Sequence, residues 1–484
     1  MIRLFSIFAL LLTFTPAHAA EKSHAPDMDN SVVQIEVSRR QYDFVQPWTR
    51  RVDQLQKVGT IVGAHEILTS AEYLADLTLL RLQKGGRGKW YQGEVEWVDF
   101  HANLAIVTCK DENFWKGLKP IRIAESTPRS GDAYLSRWRA GVMETRSLDI
   151  SRMHVKRGKL TNIDLLFLEV NSDVPGTGWA EPIVQNDKLI GITSSKEERT
   201  ATVIPSSFIK QCLDQRKNWK GLGYFAFVWE PTENPATLEY LKLPGDPRGV
   251  VIIETPTNEV TALKLHDVIT EIDGFAIDSK GDFRDPQNGV LNLECLSTRK
   301  HWAGDEVKIK VWREDKFLDL KYRLPKVDYN TEVVPDFVFD KEPEYLLLGG
   351  LLFQPLTGPY LQSWGAGDWQ RRAPFRLTYL AKKKATPDMP SAVVLSQILP
   401  DKFNLGYQDA RYLVVDSING QKIRTIRDVA EARKHPKDGF HEVLFEKGDS
   451  LTRIILDANE ADAATRRTME RYGITDPERL EPAQ

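Results

Sequence analysis

Cysteine is scarce in this chain. Its 484 residues hold three, Cys109, Cys212 and Cys295, far apart along the sequence. A disulfide-stapled fold is excluded, and no His or Cys spacing suits a metal site. An oxidising compartment would permit one disulfide and leave one thiol over. The three read instead as small apolar residues of a core. An excess of one charge is missing too. Lys and Arg number 65 against 68 Asp and Glu, a net charge of −3. That balance gives no electrostatic footprint for nucleic acid. The short basic runs Arg371-Arg372 and Lys382-Lys383-Lys384 sit in polar surroundings and read as solvated loop charge. Long apolar runs are confined to residues 4–14, too short to cross a bilayer. With Arg3 before them and Ala17-His18-Ala19 after, they predict a secretory signal, residues 1–19, cleaved after Ala19. The expected location is periplasmic or secreted, with no transmembrane anchor after cleavage.

Hydrophobic residues make up 41 % of the chain, enough for several packed cores, and the length suggests about three domains of roughly 100–200 residues. From residue 31 to about 204 the pattern is short strands broken by polar turns. SVVQIEV, VGTIVGAHEILTSA, YQGEVEWV, NLAIVTC, LLFLEV and KLIGITS each read as a strand or hairpin. Many short strands without long helices predict an all-β barrel or sandwich. IPSSFIKQCLDQRK, with apolar residues at helical spacing, closes this first domain, 28–217.

The remainder repeats itself. HDVITEIDGFAI, from His266 to Ile277, and YLVVDSINGQKI, from Tyr412 to Ile423, are each a strand, an Asp-Gly or Asn-Gly turn and an apolar residue. Such dipeptides supply the positive φ that tight turns need. Each copy follows an apolar strand, GVVIIE or AVVLSQIL, and precedes a helix-like segment and a hairpin. Two homologous α+β modules follow, 218–326 and 344–458. Residues 327–343, polar, acidic and proline-bearing, read as a linker, and 459–484 as a helical C-terminal tail packed as an appendage.

These motifs resemble the HtrA/Deg family. The repeated modules resemble its PDZ domains. KVGTIVGAHEILTSAEYL resembles the family's G-S-G-F-V-I…I-L-T-N-A-H-V-V, and VDFHANLAIV its D-x-x-x-D-L-A-L-L. GTGWAEPIVQNDKLIGI resembles G-N-S-G-G-P-x-V-x…G-x-V-I-G-I, and TVIPSSFI the strand and I-P-helix that end the protease domain. The opening of the second module, EYLLLGGLLFQPLTGPYLQSWG, resembles the atypical C-terminal PDZ domain of plant-type Deg proteases. The resemblance covers nearly the whole mature chain. It implies a mainly β protein with α+β modules: a trypsin-like double β-barrel followed by two PDZ domains. It implies no cofactor and no metal, and oligomers as in other HtrA/Deg proteins.

The three catalytic places are filled by other residues. Where the family has the imidazole of T-N-A-H stands Glu72, in Thr69-Ser70-Ala71-Glu72. Where it has the orienting carboxylate stands Asn103, before Leu104-Ala105. Counting back from Pro182, the nucleophile's place holds Trp179, or Gly178 after a one-residue shift. Serine proteolysis needs a hydroxyl, a base and a group that orients the base. Thr177 is the hydroxyl of this loop, and Glu72 would serve it as a base only if burial raised its pKa from about 4.3 to about 6–7. Asp99 matches a structural aspartate, and His65 and His101 read as turn and loop histidines. Losing the nucleophile or the base costs about 10⁶-fold in turnover, and an oxyanion hole alone leaves about 10³–10⁴ over water. The expectation is a pseudoprotease: a scaffold, a chaperone-like holder, or a regulator of an active HtrA/Deg subunit in a homo- or hetero-oligomer. The alternative is an active endopeptidase with unconventional catalytic residues.

PDZ domains add an extended peptide to a sheet edge and hold its carboxylate on backbone N–H groups. In the first module that loop and strand match Gly223, Tyr224, Phe225, Ala226 and Phe227. In the second they match Gly349, Gly350, Leu351, Leu352 and Phe353, a greasy run that suits packing against another domain or subunit. Polypeptide clients or C-terminal peptides are the expected partners.

Overall fold

The computed structural model describes residues 25–255, 262–447 and 451–481; the expected signal, 1–19, lies outside them. The fold is set by alternating patterns that bury one side of each strand. Val33, Ile35 and Val37 of the strand Val32–Tyr42 are buried with Ile61, Ile67, Leu80, Leu82 and Val107 from neighbouring strands. Side chains from both edge strands of this seven-stranded sheet, Tyr91 and Val95, pack on the same core, so the sheet is rolled around it. In the next sheet Pro182–Gln185 pairs with both Asp132–Arg139 and Lys188–Glu197, which closes it into a barrel. The helix Ser206–Gln215 follows, burying Ile209 and Cys212. All three cysteines are free and buried.

Two modules of like topology follow. In the first, the antiparallel order is Val228–Pro231, Val250–Glu254, Val268–Ile272, Glu306–Arg313, Lys316–Arg323. In the second, Leu351–Pro355, Val393–Ile398, Leu413–Ile418, Phe440–Phe445 and Arg453–Asp457 repeat that order. The repeated turns match in detail. Asp273 and Gly274 have φ of 52° and 82°, Asn419 and Gly420 54° and 82°, the paired positive values of a tight hairpin turn. The residues entering each repeated strand, His266 and Tyr412, also have positive φ, 67° and 60°. The protein is thus mainly β: a rolled seven-stranded sheet, a closed barrel, and then two modules that share one strand order.

The parts are packed together. One buried cluster joins Leu135, Leu168 and Val203 of the closed barrel to Phe225, Phe227 and Val250 of the first module. The segment 327–343 lies against the first domain through its aromatic residues. Tyr329 stacks on His101 at 4.0 Å, and Phe339 on Phe100 at 4.1 Å. The helix Ala461–Tyr472 of the tail packs on the second module, and the strand Glu478–Arg479 after it pairs with Tyr345 and Leu346.

Candidate functional site

The turn after Glu66–Thr69 and the turn before Leu104–Thr108 bring Glu72 and Asn103 together. Both are buried, and the Asn103 Oδ1 accepts the Glu72 N–H at 3.1 Å. Asn103, at φ 52°, donates from Nδ2 to the Ser194 hydroxyl at 3.2 Å. The Glu72 carboxylate receives Lys159 Nζ at 2.8 Å. Beneath it, the buried Lys57 donates to Ser70 O at 2.6 Å, Ser70 Oγ at 2.8 Å and Glu72 O at 2.7 Å. Burial pushes the Lys57 ammonium down to about 7, against the pull of Glu72.

The loop matched in sequence to the nucleophile motif, around Gly178 and Trp179, is organised by a residue that the sequence motifs did not single out. Glu181 is 1 % exposed. Its Oε2 accepts the N–H groups of Gly178 at 3.0 Å and Trp179 at 2.8 Å, and the Thr193 hydroxyl as well. Its Oε1 lies 3.5 Å from Arg137, which also donates to Pro175 O and Gly176 O of the same loop. Gly178 has φ 115°, a conformation that residues with side chains rarely adopt, and a Cβ there would meet the Ser195 backbone tightly, at 3.1 Å. Trp179 is half-buried, with its ring 5.5 Å from Tyr73. Thr177 donates its hydroxyl to Val174 O at 2.9 Å, and Glu72 is bonded to Lys159. The signal for Glu181 was an acid before a proline where the family motif has glycine.

The histidines lie elsewhere. His65 stacks on Trp115 at 4.9 Å in a turn. His101 shares a 3.0 Å hydrogen bond between Nδ1 and Thr161 Oγ1, and burial under Tyr329 lowers its pKa. Asp99 accepts Ala102 N–H at 2.7 Å and Trp219 Nε1 at 2.6 Å, a bracing role. Among the described residues no group of His, Cys, Asp or Glu could hold a metal ion.

In the first module the loop 223–227 leads into Val228–Pro231, which among the described residues pairs on one side only. Phe225 and Phe227 are buried and stack at 5.2 Å over Tyr322, whose hydroxyl accepts the Ala226 N–H at 2.9 Å. Tyr224 is partly buried and donates its N–H to Pro325 O at 3.3 Å. Gly223 bridges to Lys326. In the second module Gly349 and Gly350 make the turn of a hairpin, at φ 58° and 91°, joining Tyr345–Leu348 to Leu351–Pro355. Leu351, Leu352 and Phe353 are fully buried, and their strand is paired on both sides. The tip of the first domain's leading hairpin covers this module too: Gln354 and Gln397 donate to Phe44 O and Val45 O at 3.0 and 3.2 Å.

Comparison with known proteins places this architecture. A family model described as PDZ domain matches residues 334–479, a span that starts inside the 327–343 segment and takes in the tail helix. The chloroplastic Protease Do-like 2 of Arabidopsis thaliana is 25 % identical over 472 residues, covering 94 % of this chain and 75 % of the relative. The chain is an HtrA/Deg-type protease homologue with a PDZ domain. The mitochondrial Protease Do-like 4 of Arabidopsis thaliana is 25 % identical over 434 residues, with 85 % of this chain and 79 % of that one covered. A solved structure titled HtrA-type protease AlgW with decapeptide aligns at a TM-score of 0.46 and 15 % identity, covering 61 % of this chain and 95 % of that one. In this HtrA/Deg homologue the corresponding sheet edges of the two modules thus differ among the described residues: one is open and the other is paired.

Proposed function

We propose that this HtrA/Deg homologue binds polypeptides and does not cleave them, serving as a scaffold, a holder of clients or a regulator of an active protease subunit. One observation carries the reading: the Glu181 carboxylate on the N–H groups of Gly178 and Trp179. An oxyanion hole works because its donors wait for charge that develops only in the transition state. Here a resident negative charge occupies the donors of that loop. A second carboxylate, Glu72, is held by a lysine where the family places its base. The unpaired side of Val228–Pro231 supports polypeptide capture, because strand addition needs such an edge.

Two contacts favour the rival reading of an unconventional hydrolase. Lys57 touches the Ser70 hydroxyl at 2.8 Å, and His101 touches that of Thr161 at 3.0 Å. Both hydroxyls are 1 % exposed, so a substrate carbonyl does not reach them without movement. Two of the three oxygens that Lys57 contacts are backbone carbonyls, so most of its bonding goes to the backbone.

The experiment uses the purified mature protein with a photocrosslinking amino acid at the exposed Val228 and, separately, at the exposed Leu405 of the second module. With an unfolded casein probe, the expected result is a crosslink from position 228, none from 405, and intact casein. Casein fragments, with fluorophosphonate labelling that Ser70→Ala or Thr161→Ala abolishes, would establish the rival. Intact casein without any crosslink would leave no support for the binding role.

A further inference from the structure

The open edge of the first module does not face plain solvent. It borders a cavity of 520 Å³ with three walls. Val228 and Trp229 of the edge strand form one, Asn292 and Glu294 at the start of the helical stretch Leu293–Arg299 the second. The third belongs to the closed barrel: Val155 of Val142–Arg157 and Asp164 at the head of Asp164–Asn171. A strand of four residues spans about 13 Å at ~3.3 Å per residue, so a short extended peptide laid along it would touch both the module and the barrel.

The charge of this groove is one-sided. The side chains lining it include two carboxylates, Asp164 and Glu294, and no cation. Glu294 accepts Trp229 Nε1 at 2.7 Å, and Asn292 caps its N–H at 3.2 Å. Among the described residues neither Asp164 nor Glu294 is part of an ion pair. Arg157, cross-strand from Asp164, is the nearby cation that acts on Glu294. Two half-buried carboxylates across a strand edge favour a partner that brings a positive charge and disfavour one that brings a negative charge.

We infer that the groove between the first module and the closed barrel takes an extended peptide with a lysine or arginine side chain directed at Glu294 and Asp164. This rests on the peptide-binding reading above and names the class of peptide. The backbone of the edge strand would supply affinity without regard to sequence, and the two carboxylates the choice among sequences.

The test is fluorescence anisotropy on the full mature chain at about pH 8.5, above the value of about 7 to which burial raises Glu294. The probes are fluorescein-labelled decapeptides of Val, Thr and Ser carrying one Lys, Gln or Glu, moved through each position. At one position Lys is expected to bind about tenfold tighter than Gln, and Glu weaker than Gln. In the double variant D164N/E294Q, all three should fall within about twofold of one another. A lysine preference that survives in the double variant overturns the inference, and so does peptide binding indifferent to charge; in both cases the binding reading stands. Absence of binding by any peptide overturns that reading and this one with it. Should the variants not fold, replacing the lysine by norleucine asks the same question from the peptide side. Loss of the tenfold gain supports the inference, and its persistence overturns it.

Discussion

The two C-terminal modules are built on the same five-strand order and end differently. In the first, the sheet stops at Val228–Pro231 and that edge is free among the described residues. In the second, two further strands, Tyr345–Leu348 and Glu478–Arg479, extend the sheet on the same side. An unpaired edge is a liability that proteins cover unless they use it. The strand–turn repeat common to both modules therefore fixes the sheet, and residues far away in sequence decide whether it can receive another chain.

The largest expected effect tests the hairpin that closes the second module. Gly350 sits at φ 91°, and a Cβ there would lie 2.5 Å from the Leu399 carbonyl oxygen. Gly350→Val is expected to cost about 4 kcal/mol or more, read as loss of a thermal unfolding transition. In the first module Gly274→Ala, at a turn with open space around it, should cost only about 1 kcal/mol, because strain at its φ of 82° is the sole penalty.

Next comes removal of the tail. Ending the chain after Glu460 deletes a helix that buries Ala464 and Thr468, the Arg467–Asp401 pair, and the Glu478–Arg479 strand. About 2–4 kcal/mol should be lost. Amide exchange at Leu347, whose N–H donates to Pro477 O at 2.7 Å, should rise; unchanged protection there would mean that the tail does not close the edge.

A smaller effect separates the modules by pH. Burial raises Glu294 to about 7, with Asp164 adding to the rise and Arg157 opposing it. A carboxyl whose folded pKa lies above its unfolded one binds more protons when folded, so it lowers stability as pH climbs between the two values, from about 4.5 to about 7. Glu294→Gln should remove that slope, worth about 1–3 kcal/mol between pH 5 and 8, as read from denaturant unfolding at each pH. A slope unaltered in the variant would assign it to other groups. The smallest effect is Arg433→Ala, which breaks a partly exposed 2.8 Å pair with Glu478 and should cost less than about 1 kcal/mol.

Much of the architecture is local and was legible. Alternating burial, Asp-Gly and Asn-Gly turns and the repeat specify strands and hairpins without reference to the rest of the chain. The site was legible only in outline. Glu72 and Asn103, matched in sequence to two of the family's catalytic motifs, meet in the structure, but the partners that hold them are distant in sequence. Lys159 lies 87 residues beyond Glu72, and Ser194 91 beyond Asn103. Glu181 stood in the sequence only as an acid where the family motif has glycine; its meaning appears once the loop folds back on it. The Gly349-Gly350 pair could be read as a loop for carboxylates or as a hairpin turn. What decides between them is the strand before it, and its pairing with residues more than a hundred positions downstream.

The buried cluster that runs from the closed barrel into the first module has an engineering consequence. Leu135 and Val203 lie in the same apolar mass as Phe225, Phe227 and Val250. A cut made at residue 218, to graft this module onto another protein or to produce it alone, would lay open a sticky face on each fragment. Such pieces should clump when expressed apart, and recombinant work on the module is better served by carrying the barrel with it.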